Sequence, residues 1–163
     1  MIYNTVQKEI ANKIDGETKL SNWKDWRWQV KNAIKSLERF EQVTGIKFDE
    51  KEREDLRKTF EKFPLCITPY YLSLINRANY KHDPVFKQAF GGIQELNTLE
   101  SEYEDPLCEE KDSPVEGITH RYPDRVLFHV SNLCAMYCRH CTRKRKVGDS
   151  NHIPTKEQLS QGI

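Results

Sequence analysis

The chain has 163 residues, about one domain at roughly 150 residues each. Twenty-six Lys and Arg against 25 Asp and Glu leave a formal net charge of +1, which argues against a strongly basic nucleic-acid domain and against an acidic tail. Hydrophobic residues make up 37% and charged residues 31%, so the core is modest, yet three Trp, seven Tyr and seven Phe are too many aromatics for a disordered chain.

Residues 1–20 are polar and weakly patterned, and read as a loose arm or short helix. They hold no apolar h-region, and no stretch of the chain approaches the ~20 apolar residues of a membrane span. A cytoplasmic location and no membrane partner are therefore expected. Ser21 or Asn22 can cap a helix whose apolar stripe runs Trp26, Val30, Ala33, Ile34 and Leu37. Trp23 and Trp28 lie off that stripe, so the helix packs on more than one side. Thr44-Gly45 ends it. Asp49 with Glu52 forms a capping-box-like start for a helix through about Lys62. Pro64 stops that helix, and Pro69 opens a third with Tyr70, Leu74 and Arg77. Asp83-Pro84 starts a fourth through Ala89, broken by Gly91-Gly92. Residues 100–117 read as an acidic loop. Arg125 to Asn132 carries Val126, Leu127, Phe128 and Val130, a short apolar run that predicts a buried strand. Pro154-Thr155 with Gln158 is a second capping box, opening a helix at the C-terminus.

Three of the five cysteines crowd into Cys134-Ala-Met-Tyr-Cys138-Arg-His-Cys141, directly after that strand. An odd, crowded count does not suit a secreted disulfide framework and favours metal binding. Three thiolates on one loop can hold one face of a [4Fe–4S] cube and leave one iron open to a small molecule. Two other readings stay open at this point. One is a Cys3His zinc site using His140, His129 or His120, although no second ligand knuckle is present. The other is inert thiols. The run Arg143-Lys-Arg-Lys146 reads as a solvated charged face, a nucleic-acid patch or part of an active site. Its position directly after the cysteine loop favours an active-site and surface role, and the near-neutral whole-chain charge gives no support to a nucleic-acid partner.

The CxxxCxxC spacing resembles the radical S-adenosylmethionine (SAM) superfamily. The flanks resemble the lysine 2,3-aminomutase family specifically. They are His120-Arg-Tyr-Pro-Asp-Arg125, Tyr137-Cys-Arg-His-Cys-Thr-Arg143, Trp23-Lys-Asp-Trp-Arg-Trp-Gln29, Ile67-Thr-Pro-Tyr-Tyr71, Asp105-Pro-Leu107 and Asp112-Ser-Pro-Val115. The resemblance runs from about Asn22 to the cysteine loop. The chain departs from the family's pattern at Gly91-Gly92, at Cys108 and at Glu116, where relatives tend to show Pro, His and Pro. Cys66 and Cys108 fall outside the cysteine motif and read as a small core residue and a loop thiol.

The resemblance implies exchange of an amino group between the α and β carbons of an amino acid. Pyridoxal 5'-phosphate (PLP) holds the nitrogen, and a deoxyadenosyl radical from SAM removes a hydrogen. Cys134, Cys138 and Cys141 would ligate the [4Fe–4S] cluster, and His140 would contact SAM. Arg143 would bind the substrate carboxylate, for which a planar guanidinium is suited. Arg121, Tyr122 and Arg125 would lie beside the PLP. L-lysine is the expected substrate. Glutamate, or the β-lysine modification of a translation factor, is the alternative within the family. A non-catalytic helical module with a zinc knuckle is the alternative outside it. The resemblance further implies an electron donor such as flavodoxin or ferredoxin and a homo-oligomer.

The family's PLP lysine, glycine-rich phosphate segment, substrate-selecting carboxylates and any structural zinc ligands have no counterpart in these 163 residues. The implied fold class is α/β. Residues 1–117 would form a helical N-terminal domain with its loop. Residues 118–163 would start a radical SAM partial β/α barrel, of which a full eight-fold version needs about 250 residues. The chain is thus expected to be an N-terminal portion, inactive alone.

Overall fold

The computed structural model describes residues 4–16, 20–149 and 155–161. The chain divides into two compact units. One is Met1–Asn97 with Ala135–His140, and the other is Thr98–Cys134 with Cys141–Ile163. Among the described residues no helix is long and apolar enough to cross a membrane.

The first unit opens with a full helix, α1 (Thr5–Asp15). Asn4 and Gln7 cap it reciprocally: the Asn4 side chain accepts from the Gln7 N–H at 2.9 Å, and Gln7 accepts from the Asn4 N–H at 3.1 Å. Its polar surface hides Ile10 and Ala11, which are fully buried.

The single helix expected over 21–44 is three: α2 (Leu20–Lys24), α3 (Trp26–Lys31) and α4 (Leu37–Thr44). Two caps restart the chain. Asp25 accepts from the Arg27 N–H at 2.9 Å, and Ser36 accepts from the Arg39 N–H at 3.2 Å. Between α3 and α4, Ile34 is paired with Ile67 by two backbone bonds of 2.8 and 3.1 Å. Ile34 and Leu37 do reach the core. Trp26, expected on the same stripe, is 64% exposed with the Arg27 guanidinium over its ring. Trp23, off the stripe, is buried, with its ring centroid 5.9 Å from that of Trp28.

α5 (Glu50–Lys62) carries the expected capping box, with Asp49 and Glu52 bonded both ways at 2.8 and 3.2 Å. α6 (Pro69–Leu72) is one turn with Pro at its start. A 3-10 segment follows at Arg77–His82. α7 (Pro84–Ala89) starts at Asp83, whose side chain accepts from the Phe86 N–H at 2.8 Å. A short 3-10 turn, Ile93–Leu96, comes after Gly91-Gly92. Phe40 sits at the centre of the core, fully buried. Its ring centroid lies 4.4 Å from Phe90, 6.0 Å from Phe48 and 6.1 Å from Phe86.

In the second unit, residues 98–117 form turns and irregular backbone, covering the loop expected over 100–117. β1 (Ile118–Tyr122) and β2 (Arg125–Phe128) make an antiparallel hairpin. Ile118 pairs with Phe128 and Tyr122 with Arg125, and an irregularity separates Thr119 from Tyr122. Here the strand reading needs correction. The strand is shorter than 125–132, its neighbour is antiparallel, and Val126 and Leu127 are 50% and 41% exposed. The cause is local: Pro123-Asp124 reverses the chain and lets the apolar run pair back on Ile118–Tyr122. The mixed helix–strand class holds, and no parallel strand pair is present among the described residues. α8 (Lys156–Gln161) has its capping box in place, with Thr155 and Gln158 bonded both ways at 2.7 and 3.2 Å. Pro154, part of that motif, lies outside the described residues. The Gln158 amide also donates to Glu116.

Candidate functional site

The middle of the cysteine motif is built into the first unit. Met136 pairs with Ile67, which pairs with Ile34 on its other side. The Thr68 N–H donates to the Ala135 carbonyl at 3.0 Å, and the Tyr137 N–H donates to the Cys66 carbonyl at 2.9 Å. Met136 and Tyr137 are buried. The apolar Met-Tyr pair between two cysteines is the sequence signal for this, and it reads as motif filler until the docking is seen.

Cys138 is half-buried, and its thiol donates to the Met136 carbonyl at 3.8 Å. Arg139 donates its backbone N–H to the Gln88 carbonyl at 2.8 Å. Its guanidinium meets Glu95 at two points, Nε to Oε1 at 3.1 Å and Nη2 to Oε2 at 2.5 Å. His140 is exposed.

Cys134 and Cys141 belong to the second unit. Cys134 is exposed and Cys141 half-buried. Desolvation pushes the Cys134 thiol up, and neighbouring Cys141 adds to the shift. None of the five cysteines forms a disulfide. Among the described residues no three His, Cys, Asp or Glu side chains are gathered to hold a metal ion. The chemistry of the donors nonetheless suits an iron–sulfur cluster: three thiols in reduced form, at a spacing that loop backbone can bring to one cluster face.

Three arginines of the second unit, Arg121, Arg143 and Arg145, share one anchor, the acidic turn at 104–112. Arg121, on β1, donates from Nη1 to the Leu107 carbonyl at 2.8 Å and lies 3.8 Å from Asp112. Arg143 is bonded through Nη2 to the buried carboxylate of Glu109. Its Nε is buried without a hydrogen-bond partner. Arg145 lies 3.3 Å from Asp105 and 3.1 Å from Glu110. Asp105 also accepts from the Glu110 N–H at 2.9 Å. That bond leads the causes that hold its carboxyl below the ordinary range, with Arg145 contributing. Arg125 lies over the Tyr122 ring at 4.9 Å and near Asp124 at 3.4 Å. His129 is held below its ordinary value first by burial and then by the charge of Arg143. Glu109 and Glu110 stand out in the sequence only through the acidity of their loop, and Asp105 only as part of the Asp105-Pro-Leu107 motif. Their signal was complementarity to the basic run downstream.

No protein-family model matches the chain. Over 155 residues it is 50% identical to the L-lysine 2,3-aminomutase of Methanococcus maripaludis, covering 95% of this chain and 36% of that protein. It is 46% identical to the L-lysine 2,3-aminomutase of Clostridium subterminale, covering 88% of this chain and 34% of that protein. The chain belongs to the lysine 2,3-aminomutase family. Within the family it is also similar to the glutamate 2,3-aminomutase of Clostridioides difficile, at 34% identity over 98% of this chain and 36% of that protein. The chain thus spans about a third of the length of these lysine 2,3-aminomutase family relatives.

Proposed function

We propose that the protein serves as a radical SAM, PLP-dependent amino acid 2,3-aminomutase that converts L-lysine to L-β-lysine. One observation carries the reading: the Cys134, Cys138, Cys141 loop stands in a chain 50% identical to an L-lysine 2,3-aminomutase. Lysine is favoured over glutamate because the lysine relatives reach 50% and 46% identity and the glutamate relative 34%.

In this reading a [4Fe–4S] cluster with SAM supplies one-electron hydrogen abstraction, and PLP supplies an electrophilic hold on the migrating nitrogen. Cys134, Cys138 and Cys141 provide the three thiolates. His140, exposed beside them, meets SAM. Arg143 takes the substrate carboxylate. Glu109 grips its Nη2 and so fixes the plane of the fork, while the buried Nε is left to donate. Arg121 and Arg125 offer cations beside the PLP, with Arg121 held in place by Leu107 and Asp112. β2, with Val126 and Leu127 exposed, is the first strand of a β/α barrel completed by further chain. A flavodoxin- or ferredoxin-like donor reduces the cluster.

Anaerobic reconstitution of the full-length protein with iron and sulfide tests this. A reduced-cluster paramagnetic resonance signal that shifts on adding SAM is expected, together with formation of β-lysine from lysine. Serine at Cys134, Cys138 or Cys141 removes the signal and the turnover. Arg143→Lys leaves the signal and raises KM for lysine about tenfold or more, since an ammonium cannot replace the two-pronged fork. Stoichiometric zinc with no cluster overturns the reading. Conversion of glutamate in place of lysine keeps the reaction and overturns the substrate.

A further inference from the structure

Arg139 sits between two of the proposed ligands and is given no part in the reading above. Its side chain is 9% exposed, so its charge is nearly stripped of water. Glu95 meets it with both carboxylate oxygens, and the Phe63 ring lies 4.9 Å from the guanidinium carbon. The third wall is an absence of side chain. A Cβ on buried Gly91 would stand 2.7 Å from Glu95 Oε1, 2.8 Å from Arg139 Nε and 3.0 Å from the Thr59 methyl. Space, not backbone conformation, therefore requires glycine there. Gly92 is different, because a Cβ would meet only the flexible end of Gln94.

A buried ion pair is weak as a source of net stability, because desolvation opposes the attraction. Its geometry is what it contributes. Two parallel bonds and a stacked ring leave the guanidinium one place to be. The Arg139 backbone is tied as well, through the Gln88 carbonyl. Both ends of the residue are thus fixed to the 88–95 segment, and Cys138 precedes it directly in the chain.

We propose that Arg139 is a positioning residue, clamped in a socket of Glu95, Phe63 and Gly91 so that Cys138 is fixed in place before any cluster arrives. The inference rests on the reading of Cys138 as a cluster ligand, but the clamp itself can be measured without a cluster.

The test uses full-length protein stripped of metal with a chelator. Alkylation of each cysteine by iodoacetamide is followed by peptide mass spectrometry. Glu95→Gln weakens the pair. Gly91→Ala pries it apart sterically without changing a polar group. Both are expected to speed alkylation of Cys138 about tenfold, the equivalent of one lost charge-assisted hydrogen bond. Arg139→Lys behaves like Glu95→Gln, because charge without the fork does not hold the socket. Gly92→Ala leaves the rate unchanged. Buried Cys66 and exposed Cys108 serve as internal references and keep their rates. Equal Cys138 rates in wild type, Glu95→Gln and Gly91→Ala overturn the proposal. So does a matching rise at Cys66, which would report loosening of the whole unit. Reconstitution is then run in parallel. A wild-type protein that takes up no cluster overturns the functional reading, while the Cys138 ratio still decides the clamp.

Discussion

Arg139 and Arg143 lie four positions apart and are held in opposite ways. Arg139 has both prongs engaged by Glu95. Arg143 is gripped by Glu109 at Nη2 and keeps a buried Nε with nothing to donate to. A buried donor left unpaired costs about 1–3 kcal/mol, so under the proposed function this Nε is the atom that meets the substrate carboxylate. The same cluster sets the behaviour of His129. Burial comes first, then the positive charges of Arg143 and Lys146, opposed by Glu109, and the imidazole is held below 6.5. A depressed folded value means the neutral ring is the favoured one. Its contribution to stability is complete above 6.5 and is lost as pH falls through that value toward the folded one. The urea midpoint of the protein is therefore expected to drop on acidification below 6.5. His129→Gln should flatten that part of the profile, and parallel profiles for wild type and variant would contradict the assignment.

At the scale of elements, what was legible in the sequence was local. The caps Asp49–Glu52, Asp83 and Thr155–Gln158 each act within three residues, and each marks its helix where the pattern put it. The stripe from Trp26 to Leu37 failed because two causes produced one spacing. Ile34 is apolar because it pairs with Ile67, a distant strand-like partner, and Leu37 because it opens α4. A periodicity count cannot separate them, but the caps Asp25 and Ser36 could have. β2 was legible as a strand from Val126 and Leu127. Its partner and its exposure were not, because they depend on where Pro123-Asp124 turns the chain. The core around α4 yields a sharper expectation. Phe40 is fully buried against three other phenylalanines, so Phe40→Ala should destabilise the first unit by about 3–5 kcal/mol in denaturant titration. A loss below about 1 kcal/mol would show that the aromatic cluster repacks around the hole.

Across the whole molecule, the cysteine motif is shared between the two units. Residues 135–140 count with the first, and Cys134 and Cys141 with the second. Under the proposed function, a cluster on these three thiols ties Cys138, and with it the first unit's segment 135–140, to bound iron. Loss of cluster absorbance and loss of helical circular dichroism should then fall at the same urea concentration in the reconstituted protein. Cluster loss well below the helical transition would place the thiols on a segment that opens by itself. The pairing of Met136 with Ile67 also has a consequence in time. During synthesis a chain folds from its N-terminus as it emerges. Ile67, Phe63, Gly91 and Glu95 all belong to the first 97 residues of the chain. Cys134 leaves the ribosome only afterwards. Met136 is therefore made after Ile67, the residue it pairs with, so the segment between the thiols always follows in synthesis the strand-like edge it docks on.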